Sequence, residues 1–431
     1  MSRFFSASAR SGSKTKDYLS RVLPEYYGAV SSKFHSVAFC DNWSFMRSFF
    51  AAVSTLSGLI LALSMSGCGG GGASGGASSG GSNSPPPPPK EILYAAGYGQ
   101  AVLEYNIDMG TGAPTLITSA AGSSSSGIAI TPSNTFLYAS NAQDPGVNAF
   151  SISSGGLTLL SGSPFLLPSY PAFNEVDSLA MDPAGKFLYT PDASSSQIIG
   201  FSISTSSGAL TPLPGSPFPA GMPPLEVAID PSGKFLYESG GGVSGFTIDS
   251  STGALTLIPG SPFSTLGYGE VDGLAFHPSG KFLYAAAFST NKIAAYSINT
   301  TTGVLTAVPG SVFSLSNSNA PLPYSLTVDP TGKFLYALGS ADGKVYGFTI
   351  DANTGALTAI NGSPFGIQWT LFLSDLVVDP SGKFLYAGGG GLNGMFIFSI
   401  NATTGALTSV NDPLPAGMAL PHLGFVFAHS Q

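Results

Sequence analysis

Short apolar runs separated by turn residues recur along this chain from residue 91 to its end. Residues 226–263 show the unit. Residues 226–230 form a first apolar run, Pro231-Ser232-Gly233 turns the chain, and Phe235, Leu236 and Tyr237 make a second run. Proline suits the second position of a type I turn and glycine the fourth. Val243 to Ile248 alternates, with Phe246 and Ile248 on one face, as a strand requires. Thr252-Gly253 turns the chain again, residues 255–258 make a fourth run, and the unit closes on Gly260-Ser261-Pro262-Phe263. The pattern predicts four short antiparallel strands, a to d. Proline cannot donate to a ladder, so Pro262 marks strand d as an edge.

The stretch Asp329-Pro330-Thr331-Gly332-Lys333-Phe334-Leu335-Tyr336-Ala337 returns at residues 182–190, 230–238, 277–285 and 379–387. A degenerate copy spans 131–139, and 91–95 keeps only its tail. Its tyrosines are Tyr94, Tyr138, Tyr189, Tyr237, Tyr284, Tyr336 and Tyr386, spaced 44 to 52 residues apart. A period of this size marks stacked units that bury their faces against neighbours. The position of Phe246 is aromatic in every unit (Tyr105, Phe150, Phe201, Tyr296, Phe348, Phe398), as a packing layer between twisted sheets demands.

Strand b opens the first unit at Glu91 with no strand a before it. The missing strand appears at the far end, over residues 423–428. The C-terminal strand should therefore complete the first blade and leave no open edge around the ring. The expectation is an all-β chain: a seven-bladed β-propeller with four-stranded blades over residues 90–431, closed by its C-terminal strand.

Residues 1–45 form an extension with no clear period. Residues 46–68 start with Met46 and Arg47, continue uncharged from Ser48 to Gly67, and end at Cys68. A basic start, an apolar run and small residues before a cysteine predict a lipoprotein-type signal, with Cys68 as the lipidation site and Met46 as an alternative start to Met1. An uncleaved membrane anchor is the alternative. Either places the propeller outside the cytoplasm: an exported, membrane-tethered lipoprotein of the bacterial cell envelope. Residues 69–89 are Gly/Ser-rich and end in Pro85 to Pro89, a linker of roughly 25 Å mean span.

Charge narrows the partners. All four arginines precede Cys68; after it, eight lysines face twenty Asp/Glu, a balance of −12. This excludes nucleic acid as a partner and disfavours tight phosphate recognition. The two cysteines, Cys40 and Cys68, both precede the propeller, which therefore has no disulfide framework. A monomer is expected.

The candidate chemistry lies where strands a begin, on the face opposite the Asp-Pro turns. There stand Glu175, Asp177, Glu226, Glu270, Asp272, Tyr324, Asp375 and His422. Three uses compete. A carboxylate with His422 could act as acid and base on a neutral substrate, with Asp272, His422 and Glu226 catalytic and Asp177, Tyr324 and Asp375 binding substrate. Glu175 and Glu270 could contribute to a calcium site, although no cofactor is required. The third use is a solvated acidic funnel with no chemistry. The turn aspartates Asp182, Asp230, Asp329 and Asp379 are expected to cap their turns. His277 replaces one of them and, with His429, is a poor catalytic candidate.

The succession Asp-Pro-Ser-Gly-Lys-Phe-Leu-Tyr, Gly-Phe-Thr-Ile-Asp, Thr-Gly-Ala-Leu-Thr and Gly-Ser-Pro-Phe resembles the seven-bladed propeller lactonase family, 6-phosphogluconolactonase-like proteins included. The resemblance spans residues 91–431 and points to its secreted or lipoprotein branch. It implies hydrolysis of a sugar lactone. Members acting on such lactones use arginine, histidine and acidic residues at the mouth, and this propeller has no arginine, so an uncharged lactone is the expected substrate. The alternative is a non-catalytic binding or scaffolding propeller that holds an envelope protein.

Overall fold

A computed structural model describes residues 91–97, 100–124, 126–141, 144–167, 178–263, 269–315, 321–366, 373–389, 395–410 and 423–428. The signal segment, the linker, Cys68, Glu175, Asp177, His422 and His429 lie outside them. The described residues form seven antiparallel sheets. The fourth blade consists of Val227–Ile229, Phe235–Ser239, Val243–Ile248 and Leu255–Leu257, within a residue or two of the pattern reading. Closure follows the expected order: Leu423–Phe427 pairs with Glu91–Gly97, which leads to Gln100–Ile107 and Pro114–Ser124. Tyr94 opposes Val426 in that pairing.

The fourth strand is more varied than expected. In the second, third and sixth blades it breaks after the first few residues and resumes as a two-residue strand that pairs again with strand c. The break falls at Ser163-Pro164, Ser216-Pro217 and Ser363-Pro364, whose peptide bonds are cis. The fifth blade has Val312 where those blades have proline, and its outer strand runs unbroken over Leu305–Ser314. These prolines thus sit on the outer edge, where no ladder donor is lost.

The core lies between blades. The leucine of each Phe-Leu-Tyr run is fully buried in all full copies, and the strand c aromatics are 4% exposed or less. Each tyrosine is buried too, but six of them also act as donors. The hydroxyls of Tyr138, Tyr189, Tyr237, Tyr284, Tyr336 and Tyr386 donate to the carbonyls of Gly208, Gly253, Gly303, Gly355, Gly405 and Gly112 at 2.7–3.1 Å, each in the next blade. The last of these crosses the closing seam. The same glycines lie on the phenylalanine that begins strand b of the preceding blade: a Cβ on Gly253 would stand 2.8 Å from Phe187 and one on Gly405 2.5 Å from Phe334. The Phe-Leu-Tyr and Thr-Gly-Ala segments therefore recur together because they meet across every such seam. The second blade replaces the longer turn with a tight one at residues 154–155, and Tyr94 faces that seam.

Candidate functional site

The turn face shows what its carboxylates do. Asp230 Oδ1 accepts the N–H groups of Lys234 and Phe235 at 2.9 and 2.8 Å, and Oδ2 accepts that of Ser232 at 3.0 Å. Asp182, Asp329 and Asp379 repeat the arrangement, and Thr131 Oγ1 serves the degenerate copy by accepting from Thr135 and Phe136. They cap turns, as expected. His277 does something else. Its Nδ1 accepts the Ser279 N–H at 3.1 Å, so the proton sits on Nε2, which donates to Gly332 O of the next blade at 3.0 Å. It is a seam residue.

The opposite ends of strands a converge on the channel. Four residues before each turn residue stand Gly127, Ser178, Glu226, Gly273, Ser325 and Asp375, and the pairing of Val426 with Tyr94 puts Gly424 in the seventh place. Each of these positions meets the next blade. Ser178 Oγ accepts the Val227 N–H at 3.3 Å, and Glu226 Oε2 accepts the Leu274 N–H at 3.1 Å. Ser325 Oγ accepts the Leu376 N–H at 3.3 Å, and Asp375 Oδ2 accepts the Phe425 N–H at 3.0 Å. Where the position is glycine, the neighbouring backbone comes too close for a side chain: a Cβ on Gly273 would lie 2.4 Å from Tyr324 O and one on Gly127 3.1 Å from Ser178 N. The inner ring is thus closed at each seam either by a polar side chain or by direct backbone approach.

Two of these struts are carboxylates. Burial raises Glu226 well above the ordinary carboxylate range; the Leu274 N–H opposes this, and the charges of Asp375 and Asp272 add to it. Glu226 and Asp375 come from the fourth and seventh blades, so the channel brings opposite walls within electrostatic reach. Burial also pushes Asp375 up to about 6, against bonds from Ser325 Oγ at 2.9 Å and from the Phe425 and Leu376 N–H groups. Both residues remain partly exposed. Asp272 is buried at 5% exposure, while Glu270 and Tyr324 are partly exposed at the entrances of their strands. Among the described residues no three His, Cys, Asp or Glu side chains are spaced to hold a metal ion. The ring thus brings together Glu226, Asp272 and Asp375 and leaves Glu270 without a ligating group of its own.

Sequence reasoning missed the serines. Ser325 ties Asp375, and Ser239 ties the segment that carries Asp272. It also gave the strand b tyrosines no bonding role. A signal existed: the strand c aromatic varies between Phe and Tyr, whereas the last aromatic of strand b is Tyr in every copy.

Fold and ring geometry define a closed seven-bladed β-propeller whose axial mouth carries partly exposed carboxyl groups shifted above their ordinary range. Residues 172–366 match the family model described as lactonase, 7-bladed beta-propeller. The match falls within the propeller, where the repeat also resembles that family. Solved structures agree on the fold. A proposed 6-phosphogluconolactonase of Bacteroides fragilis superposes with a TM-score of 0.64 at 21% identity, over 79% of this chain and 98% of that one. The periplasmic gluconolactonase PpgL of Pseudomonas aeruginosa gives 0.64 at 14% identity, over 79% and 100%. A Lactobacillus plantarum protein gives 0.61 at 17% identity, over 78% and 99%. No curated protein sequence matches the chain.

Proposed function

We propose that this propeller is an envelope lactonase acting on an uncharged sugar lactone. The observation that carries the proposal is the pairing across the channel of two carboxyl groups with separated proton affinities. Glu226 holds its proton well above the ordinary range, and Asp375, at about 6, is mostly ionised at neutral pH. Such a pair divides the work of acid and base. Asp375 uses three acceptor positions on Ser325, Leu376 and Phe425, and a carboxylate offers about four, so one remains for a water. That water attacks the lactone carbonyl while Asp375 takes its proton. The acyl C–O ring bond breaks, and Glu226 delivers its proton to the departing ring oxygen. The product is the open hydroxy acid, and proton exchange through channel water resets both groups. Asp272 supplies the charge that helps keep Glu226 protonated, and Tyr324, with Asp177 from the sequence, would bind substrate. The absence of arginine from the propeller supports an uncharged substrate. Lipidation at Cys68 and export belong to the same proposal, and calcium held by Glu175 and Glu270 is the competing use of the mouth that the EDTA arm below tests.

The test is turnover of a panel of neutral sugar lactones and of 6-phosphogluconolactone, with calcium and with EDTA. Neutral lactones are expected to turn over, and Glu226→Gln to lower kcat by about 10²-fold. His422→Ala and Asp272→Asn are expected to lower it as well. A second reading has its own support. Glu226 and Asp375 both serve as struts between blades, which a scaffolding propeller binding an envelope protein would also need. Failure of every lactone, with the protein folded, would favour that reading.

A further inference from the structure

Ser239 ends strand b of the fourth blade, is 1% exposed, and makes three bonds to the mouth segments. Its N–H donates to Glu226 O at 2.9 Å, and its carbonyl accepts the Leu225 N–H at 2.8 Å. Its hydroxyl donates to Asp272 O in the next blade at 2.6 Å. Two residues beyond Asp272, the Leu274 N–H reaches Glu226 Oε2. Glu226 and the 271–274 segment are therefore both fastened to one buried serine. The Val271 N–H to Gly240 O bond at 2.7 Å is a further tie of that segment to the fourth blade.

We infer that Ser239 is a positioning residue: its hydroxyl holds the 271–274 segment of the fifth blade against the Glu226 carboxyl. The equivalent serine of the second blade, Ser140, is equally buried, but its hydroxyl bonds only Gly127 of its own blade, at 3.0–3.2 Å, and touches no carboxylate segment. In the other blades this place is held by Ala96, Pro191, Ala286, Leu338 and Gly388, none of which has a hydroxyl. The fastening is thus particular to the seam that carries Glu226 and Asp272.

Loosening the segment changes what surrounds Glu226: its burial, the first cause of its raised proton affinity, the Leu274 bond, which favours ionisation, and the Asp272 charge, which opposes it. Ser239→Ala should therefore shift the pH at which Glu226 ionises. The inference rests on the lactonase proposal only for its catalytic consequence. The experiment is carbon-13 titration of the Glu226 carboxyl in the whole protein, assigned with Glu226→Gln. Ser239→Ala should move the midpoint by about half a pH unit, Ser239→Thr should restore it, and Ser140→Ala should leave it in place. If neutral lactones turn over, the limb of the pH profile set by Glu226 should move by the same amount, with kcat down about tenfold and KM little changed. An unmoved midpoint in Ser239→Ala overturns the inference whether or not lactones turn over. A moved midpoint without turnover by any form upholds the inference and removes the lactonase. Should Ser239→Ala fail to fold, Ser239→Cys, with a weaker donor of similar size, takes its place under the same criteria.

Discussion

Glu226 and Asp230 stand at the two ends of one short strand, and their carboxylates live under different rules. Asp230 spends both oxygens on its own turn, on donors two to five residues away. Glu226 reaches a donor 48 residues away, in another blade, and shares its surroundings with Asp375 and Asp272. The first is a local cap and recurs wherever the turn recurs. The second depends on what the next blade happens to present. Identical backbone positions can therefore be filled by glycine, serine or carboxylate at the mouth, while the turn face keeps one solution four times over. Variation is tolerated where the partner is a backbone N–H that a water or a close backbone can also satisfy, and chemistry can grow only there.

This contrast can be broken first at the turn. Asp230→Ala removes the acceptor for three N–H groups, one of them buried, and should cost about 2–3 kcal/mol in urea unfolding. A loss below about 0.5 kcal/mol would mean that the cap is dispensable. Tyr386→Phe tests the long-range class on the closing seam. It leaves the Gly112 carbonyl without its donor and should cost about 1–2 kcal/mol. Tyr94→Phe, at the seam with the tight turn, should cost less.

The pH dependence of stability sharpens the contrast. Asp375 and Glu91 have folded values near 6 and 7, above the unfolded carboxylate range. Between the two values the folded state binds more protons than the unfolded chain, so stability falls as pH rises from about 4 to 7. The exposed turn carboxylate Asp249 is instead held down to about 2 by the Ser251 and Thr252 donors, and its contribution is lost as pH drops toward that value. Tm should therefore be highest in mildly acidic buffer, and Asp375→Asn should flatten its decline toward pH 8; an undiminished slope in that variant would assign the decline to other groups. The smallest effect is expected for Glu226→Gln. The amide keeps an acceptor for the Leu274 N–H and removes a crowded carboxyl, so Tm at pH 8 should stay level or rise. A marked fall would show that the charge itself holds the seam.

Much of the fold was legible because its determinants are local. Pro231 and Gly233 set a turn, Val243 to Ile248 alternates, and the lack of a strand a before Glu91 announces the closure by residues 423–428. The candidate site was legible in part. Counting back from each turn located Glu226, Asp272 and Asp375, but not that two of them brace the ring. Nor could counting show that Tyr386 reaches Gly112, since nothing within one repeat distinguishes a tyrosine that packs from one that also donates across a seam.

What the chain determined alone was the period, the turns and the faces of each strand, since these follow from backbone sterics and the two-residue alternation of strands. What only the tertiary structure decided was which carboxyl groups share the channel, which keep their protons, and which serine holds them. Those properties depend on burial and on distances between blades 44 to 52 residues apart in sequence, and no local preference encodes them.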